Sequence, residues 1–184
     1  MSKRWYIFRA AASQALAARE YAKAEALWYA ALEEAEDYGE HSPRLTDTLE
    51  GLGEVEFRLE KYLNATAICK RLLRVYCEVL GPDHLNVGVI SKNLAMLYEC
   101  IGRKDDAVPL YENAVRLYKS HMGVEDPQVH AIAAAFSCLL LELGRSEEAI
   151  NLQKDLDSTD YDSEEWRKSG TWRIDNVREQ KTNP

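Results

Sequence analysis

Apolar positions along the chain recur with the period of an amphipathic helix. One stripe, with spacing 3-3-4, consists of Leu49, Leu52, Val55 and Leu59. A second stripe, with spacing 3-4-3-4, consists of Ala65, Ile68, Leu72, Val75 and Val79. Each spacing places its residues on one face of a helix. Because only the short stretch "LEKY" separates the stripes, the pattern predicts two consecutive helices joined by a tight turn.

A short polar phrase interrupts the helical pattern at a fixed interval. It reads "YGEHSP", "LGPDHL" and "MGVEDP", and its glycines Gly39, Gly81 and Gly123 stand 42 positions apart. Glycine ends helices because it adopts a positive φ without strain at Cβ, and proline favours the first turn of a new helix. The phrase therefore predicts the end of one helix pair and the start of the next. The predicted caps of the new helices are Ser42, Asp83, His84 and Asp126, with His84 the least typical.

Small residues form a second track with the same period. The residues that open the second helix of each pair are spaced by 41, 42 and 42 positions and are Ala24, Ala65, Ala107 and Ala149. The facing positions on the first helices, again 42 apart, are Gly53, Ala95 and Ser137. Side chains this small let two helices approach closely. Two tracks with one period predict a repeat protein built from stacked helix pairs.

The third repeat carries the fullest motif, which consists of Leu94, Ala95, Tyr98, Gly102, Ala107, Tyr111 and Ala114. This motif resembles the tetratricopeptide repeat, and the 42-residue length with "KNLAMLY" and "LGPDH" is similar to the repeats of kinesin light chain. The second and fourth repeats depart from the motif at Glu56, Cys69 and Gln153. The resemblance covers residues 3–155 and implies an all-α fold, a right-handed superhelical stack of about four antiparallel helix pairs. It also implies that a peptide binds in a concave groove lined by the first helix of each pair.

The repeat period selects the candidate residues of this peptide-binding groove. They are Tyr6, Arg9, Ser13, Asp47, Glu50, Glu54, Phe57, Arg58, Lys92, Asn93, Met96 and Glu99. The expected apolar contacts are Tyr6, Phe57 and Met96, and the expected selectivity residues are Glu50, Glu54, Lys92 and Asn93. Asn93 matches the asparagine with which kinesin light chain repeats hold the ligand backbone. The alternative is that these polar residues form only a solvated helix face.

The repeat pattern stops near residue 155. Residues 156–184 begin as an acidic linker and continue as "WRKSGTWRIDNVREQKTNP", which contains Trp166 and Trp172. Because tryptophan is costly to leave in water, we expect a capping helix over the last repeat. A tail that enters the groove as a built-in ligand is the alternative. The groove face of the fourth pair is nearly apolar and would be covered by the following segment or by an apolar peptide; it consists of Ala131, Ala134, Cys138 and Leu141.

The composition narrows the class of function. The 184 residues carry a net charge of −8, which argues against a nucleic-acid surface, and no apolar run approaches the roughly 18 residues of a membrane span. The sequence contains no zinc spacing, nucleophile motif or phosphate loop, so we predict neither catalysis nor a cofactor. The cysteines, which form no CxxC pair, are expected to be buried reduced thiols and are Cys69, Cys77, Cys100 and Cys138.

The sequence thus predicts a cytoplasmic adaptor that binds a protein or peptide partner, with no nucleic acid and no membrane involved. The cytoplasmic location follows from the thiols, which an oxidising compartment would tend to convert to disulfides. The alternative is a structural scaffold that self-associates and has no separate peptide ligand, so a homo-oligomer remains open.

Overall fold

The computed structural model describes residues 3–156, and this part of the chain is helical. Its eight helices are α1 (Arg4–Ala17), α2 (Tyr21–Glu36), α3 (Pro43–Arg58), α4 (Tyr62–Leu80), α5 (Leu85–Cys100), α6 (Lys104–Met122), α7 (Pro127–Glu142) and α8 (Ser146–Lys154). Three-residue turns join α1 to α2, α3 to α4, α5 to α6 and α7 to α8, which are the four predicted pairs. The predictions for the acidic linker and the tryptophan-containing tail lie outside the described residues.

The chain divides into two compact units. In the first, residues 1–79, α1 packs on α2 and α2 packs on α3, while side-chain hydrogen bonds tie α4 to α3. In the second, residues 80–184, α5 packs on α6, α6 on α7 and α7 on α8. Among the described helices, none is both long and apolar enough to cross a bilayer.

The three turn glycines adopt the conformation that the repeated phrase predicts. Gly39, Gly81 and Gly123 have φ values of 87°, 90° and 87°. A residue with a Cβ rarely adopts this conformation, so glycine releases the chain from one helix and directs it into the next.

Side chains cap the helices that follow these glycines. The Ser42 hydroxyl, the His84 Nδ1 and the Asp126 carboxylate each accept a hydrogen bond from the backbone N–H two residues further on, at 3.2, 3.1 and 2.8 Å. The prediction was wrong for Asp83, because His84 occupies the capping position of that turn. Asp83 instead pairs with Arg116 at 2.9 Å.

The predicted small-residue track lies inside the helix pairs. Ala24, Ala65 and Ala107 are fully buried, and Ala149 is 4% exposed. On the facing helices Ala95 is fully buried as well. These small residues are therefore buried, as the predicted close packing of paired helices requires.

A further close approach, which the period did not reveal, joins α2 to α3. The indole of Trp28, which is 3% exposed, lies so close to Gly51 that a Cβ on Gly51 would overlap its ring carbons. Gly51 lies in the middle of α3, where glycine lowers helix stability relative to alanine by about 1 kcal/mol. The lost helix stability is offset because the absence of a Cβ at Gly51 leaves room for the Trp28 ring to pack.

Replacing Gly51 should therefore destabilise the first unit. We expect Gly51→Ala to lower the free energy of unfolding by about 1–3 kcal/mol, because overpacking outweighs the gain in helix propensity. Urea denaturation followed by circular dichroism would measure this change. The matched control is Gly88→Ala in α5, where the added Cβ would lie 3.0 Å from the Leu117 Cβ and the loss should be smaller. A Gly51→Ala variant at least as stable as the unmodified chain would contradict the packing account.

Candidate functional site

Two charged candidates on the first helices of the first unit bind each other. The Arg9 guanidinium donates through Nη2 to Asp47 Oδ1 at 3.3 Å and through Nε to Asp47 Oδ2. The hydrogen bond to Asp47 raises the pKa of Arg9. The pair joins α1 to α3 and leaves little net charge at this part of the predicted groove face.

An aromatic cluster around Arg44 lies near this ion pair and was not predicted. The Arg44 guanidinium carbon lies 3.9 Å from the ring centroid of Tyr38, 5.1 Å from that of Tyr6 and 5.5 Å from that of Trp5. These distances are typical of cation–π contacts. Tyr6 is 56% exposed, which fits its predicted role as an apolar contact for a ligand, and Ser13 is exposed as well.

The predicted acidic middle of the groove is largely engaged by other side chains of the first unit. Glu50 accepts a hydrogen bond from the hydroxyl of Tyr76 on α4. Glu54 pairs with Arg58 one helical turn away at 3.8 Å. The ring of Phe57, half-buried, lies 5.8 Å from the Tyr62 ring and belongs partly to the packing of α3 on α4. These residues therefore present less free negative charge than the sequence suggests.

Glu56 is a buried carboxylate whose role sequence reasoning missed. It is fully buried and accepts hydrogen bonds from the Tyr29 hydroxyl at 2.7 Å and from the Asn64 amide at 3.2 Å. Burial, together with the bond to Glu56, raises the pKa of Tyr29 to about 12. Glu56 stands at the position where the repeat motif has an aromatic residue, and this departure was the available signal. Its contacts tie α2, α3 and α4 together, which is a structural role.

Lys92, on α5 of the second unit, is buried without a counter-ion. Its side chain is 7% exposed, and within residues 3–156 it makes no ion pair and no hydrogen bond. Desolvation lowers the pKa of Lys92 to about 8 from its ordinary value of 10.5. A buried ammonium costs free energy unless an anion or a hydrogen-bond acceptor compensates it.

Asn93, the next residue, is buried with its hydrogen bonds unmade. It is fully buried, and neither its amide nitrogen nor its amide oxygen has a partner within the described part of the chain. Three other described residues each have one buried side-chain atom without a hydrogen-bond partner, and they are Trp28, Arg44 and Asn86. Each unmade bond of a buried amide costs about 1–3 kcal/mol. Lys92 and Asn93 are thus neighbouring buried polar residues whose side chains have no partners within the described residues. We call them the α5 polar pair.

The remaining candidates of the second unit flank the α5 polar pair. Met96, one turn after Lys92, is half-buried. Glu99 accepts a hydrogen bond from the Tyr111 hydroxyl on α6 at 2.5 Å, so its carboxylate serves the pairing of α5 with α6. On α7, the predicted apolar face is buried at Ala131 and Ala134, while Leu141 is 55% exposed.

The cysteines and possible metal ligands add no further site. None of the four cysteines forms a disulfide. Cys69 is buried and Cys77 and Cys138 are half-buried, but the expectation of burial was wrong for Cys100, which is exposed on the last turn of α5. Burial raises the pKa of the Cys69 thiol, so that thiol is unreactive at neutral pH. Among residues 3–156, no group of three or more His, Cys, Asp or Glu is placed to hold a metal ion.

The burial of Lys92 predicts a pH-dependent stability. Below pH 8 the ammonium is charged in both the folded and the unfolded chain, so its desolvation cost is present in full. As pH rises from about 8 towards 10.5, the folded chain releases this proton before the unfolded chain does, and stability rises. Lys92→Met should therefore raise the free energy of unfolding at pH 7 by about 3 kcal/mol and remove this rise.

Urea denaturation of both proteins at a series of pH values measures the difference. The control is Lys70→Met, which replaces an exposed lysine on α4 and should keep the pH dependence of the unmodified chain. If Lys92→Met changes the stability equally at pH 7 and pH 10.5, Lys92 does not carry a desolvated charge.

Comparison with known proteins agrees with the helix pairs. The tetratricopeptide repeat family matches residues 44–120. Protein KINESIN LIGHT CHAIN-RELATED 2 of Arabidopsis thaliana is 32% identical over 82 residues, which are 45% of this chain and 12% of that protein. The chain therefore spans only a small part of this curated relative.

Solved structures of two organisms share the fold. The kinesin light chain TPR-like repeats of Podosopora anserina superpose with a TM-score of 0.74 at 16% identity, covering 85% of this chain and 75% of that chain. BtubC (BKLC) from P. vanneervenii superposes with a TM-score of 0.63 at 18% identity, covering 94% of this chain and 80% of that chain. At these identities the likeness shows the fold alone, and it confirms the predicted all-α solenoid of helix pairs. The repeat period, the helix pairs and the matched segment together show that residues 44–120 contain tetratricopeptide repeats, and that the chain is similar to kinesin light chain repeats.

Proposed function

We propose that the chain is an adaptor that holds an acidic peptide segment of another protein against the first helices of its repeats. Tetratricopeptide repeats are in general protein–protein interaction modules and form non-catalytic scaffolds. The finer proposal, a peptide on the first-helix face, rests on one observation, the unsatisfied α5 polar pair. We also propose that the chain acts without catalysis and in the cytoplasm, where free thiols such as Cys69 persist.

The chemistry of the α5 polar pair matches that of a peptide. The side-chain amide of Asn93 offers an NH2 donor group and a carbonyl acceptor, which can pair with the C=O and N–H of an extended backbone. The ammonium of Lys92 offers positive charge to an acidic side chain or a terminal carboxylate. Both groups lack partners within residues 3–156, so the free protein already bears the free-energy cost of burying them unpaired. A peptide that supplies the missing partners removes this cost.

Access to the α5 polar pair requires Lys92 to move. Lys92 is 7% exposed, so a small part of it is at the surface, and the next residue, Asn93, is fully buried. A lysine stem is flexible enough to swing outward and keep its methylenes on apolar surface. Half-buried Met96 lies one turn away and can contact the apolar parts of the same peptide.

Considered by themselves, the first helices of the first unit offer mainly shape and apolar contact. Tyr6 is exposed, and Arg9 and Asp47 neutralise each other. Glu50 is held by Tyr76 and is therefore a weak candidate for selectivity. In this proposal, charge selectivity resides on α5.

Peptide binding can be tested directly with the full chain. Partners captured from native lysate would be identified by mass spectrometry, and their segments would be tiled as synthetic peptides and titrated by calorimetry. We expect an acidic peptide to bind, and Lys92→Met to weaken its affinity by about 10- to 100-fold, the loss expected for a charge-assisted hydrogen bond. Asn93→Leu, which keeps the volume and removes both polar atoms, should weaken binding as well.

Lys70→Met serves as the charge-matched control and should bind like the unmodified chain, because Lys70 lies exposed on α4. Equal affinity for the unmodified chain, Lys92→Met and Asn93→Leu would contradict the proposed site. Recovery of only the chain itself, with a mass that rises with concentration, would favour the self-associating scaffold instead.

A further inference from the structure

A pocket of about 500 Å³ lies in the second unit, among α6, α7 and α8. Its floor is apolar and consists of Val115, Phe136 and Leu152. The Phe136 ring is stacked on the Tyr111 ring, with 5.7 Å between the ring centroids. The rim is polar and carries both signs of charge, with Glu112, Arg116, Lys119, Ser120 and Asp155. An apolar floor with a few polar groups around it is typical of a binding pocket.

The pocket lies beside a short helix, α8. The second helix of the preceding pair, α6, has 19 residues, whereas α8 has 9. Leu156, just beyond α8, is 1% exposed, so the chain is still packed where the described residues end. The pocket lies beside the part of α6 that a longer α8 would cover, next to Val115 and Phe136.

The residues that directly follow Leu156 are unsuited to cover this apolar floor. They read "DSTDYDSEE", with five acidic residues among nine. By the 42-residue period, Asp157 and Asp160 stand where α6 has the buried Val115 and Tyr118. A helix continued through these positions would place carboxylates on apolar surface, which is unfavourable. Beyond Tyr161, whose hydroxyl is polar, the next large side chain with mainly apolar surface is that of Trp166.

We propose that the indole of Trp166 occupies this pocket and closes the last repeat. Asp155 lines the pocket and Trp166 follows 11 residues later. Eleven residues can span up to about 36–40 Å when extended, which is ample for a return across the pocket. Buried tryptophan contributes a large apolar area, and the open end of a repeat stack requires such cover.

The charges beside Trp166 match those of the pocket rim. Glu164 and Glu165 precede the tryptophan, and the basic residues that can meet them are Arg116 and Lys119. Lys119 makes no ion pair with any residue of the described range, so it is available for one. Arg167 and Lys168 follow the tryptophan and can approach Glu112 and Asp155. The proposal is independent of peptide binding at α5, because it concerns α6, α7 and α8.

Fluorine NMR of the full chain labelled with 5-fluorotryptophan tests this assignment. Four resonances are expected, from Trp5, Trp28, Trp166 and Trp172, and single Trp→Phe variants assign them. A soluble nitroxide broadens exposed rings. Trp5 and Trp28, which are 5% and 3% exposed, provide the protected reference. We expect Trp166 to resist broadening as they do, and Trp172 to broaden severalfold more.

Two substitutions in the pocket then test whether the pocket is what shields Trp166 from the nitroxide. Leu152→Arg places a charge on the pocket floor, and Ser120→Phe fills the pocket with another ring; both should expose Trp166 while Trp5 and Trp28 stay protected. The matched control is Ile150→Arg, which adds the same charge to α8 at a residue that is 52% exposed and outside the pocket lining. It should leave Trp166 protected.

Three results would overturn the proposal. Trp166 could broaden like Trp172 in the unmodified chain, which would mean that its indole is in water. Its protection could survive both pocket variants, which would place the indole elsewhere. Protection that falls on dilution would mean that Trp166 enters the pocket of a second copy, and the intrachain assignment would fail.

Discussion

The close approach of two helices at positions without bulky side chains is the constraint on which this structure depends. Ala24, Ala65 and Ala107 are fully buried, and Ala149 nearly so, each near the start of the second helix of a pair. A larger side chain at such a position would separate the helices and open voids along the whole contact. Because the position recurs every 41 or 42 residues, it fixes the repeat length together with the glycine turns.

The consequence for function is that close packing buries polar groups as well as apolar ones. Every residue of α5 from Val87 to Tyr98, apart from Met96, is buried. Glu56, on α3, shows how the fold treats a buried polar group that belongs to the core, since two hydrogen bonds satisfy it. Lys92 and Asn93 are buried to a similar degree and have no such partners in the described chain. This contrast separates a polar residue that supports the fold from the pair that we propose to bind a ligand.

The parts of the structure that depend on local signals could be predicted from the sequence. The helices, their pairing and the turn glycines follow from short-range periodicity, and each was confirmed. The site was harder to predict, because its state depends on contacts between residues 20 to 40 positions apart. The sequence contains no sign that Tyr76 binds Glu50 or that Arg9 binds Asp47. These outcomes depend on rotamers and on helix rotation, which a periodic pattern leaves undetermined.

The most direct test of the account is an NMR titration of the Lys92 side chain in the full chain, assigned with a Lys92→Met variant. The account predicts a pKa of about 8 in the free protein, because the ammonium is desolvated and has no anion beside it within the described residues. It also predicts that a bound acidic peptide raises this pKa, since a carboxylate favours the charged form. A pKa near 10.5 in the free protein would contradict the account, because it would show Lys92 to be solvated or already paired.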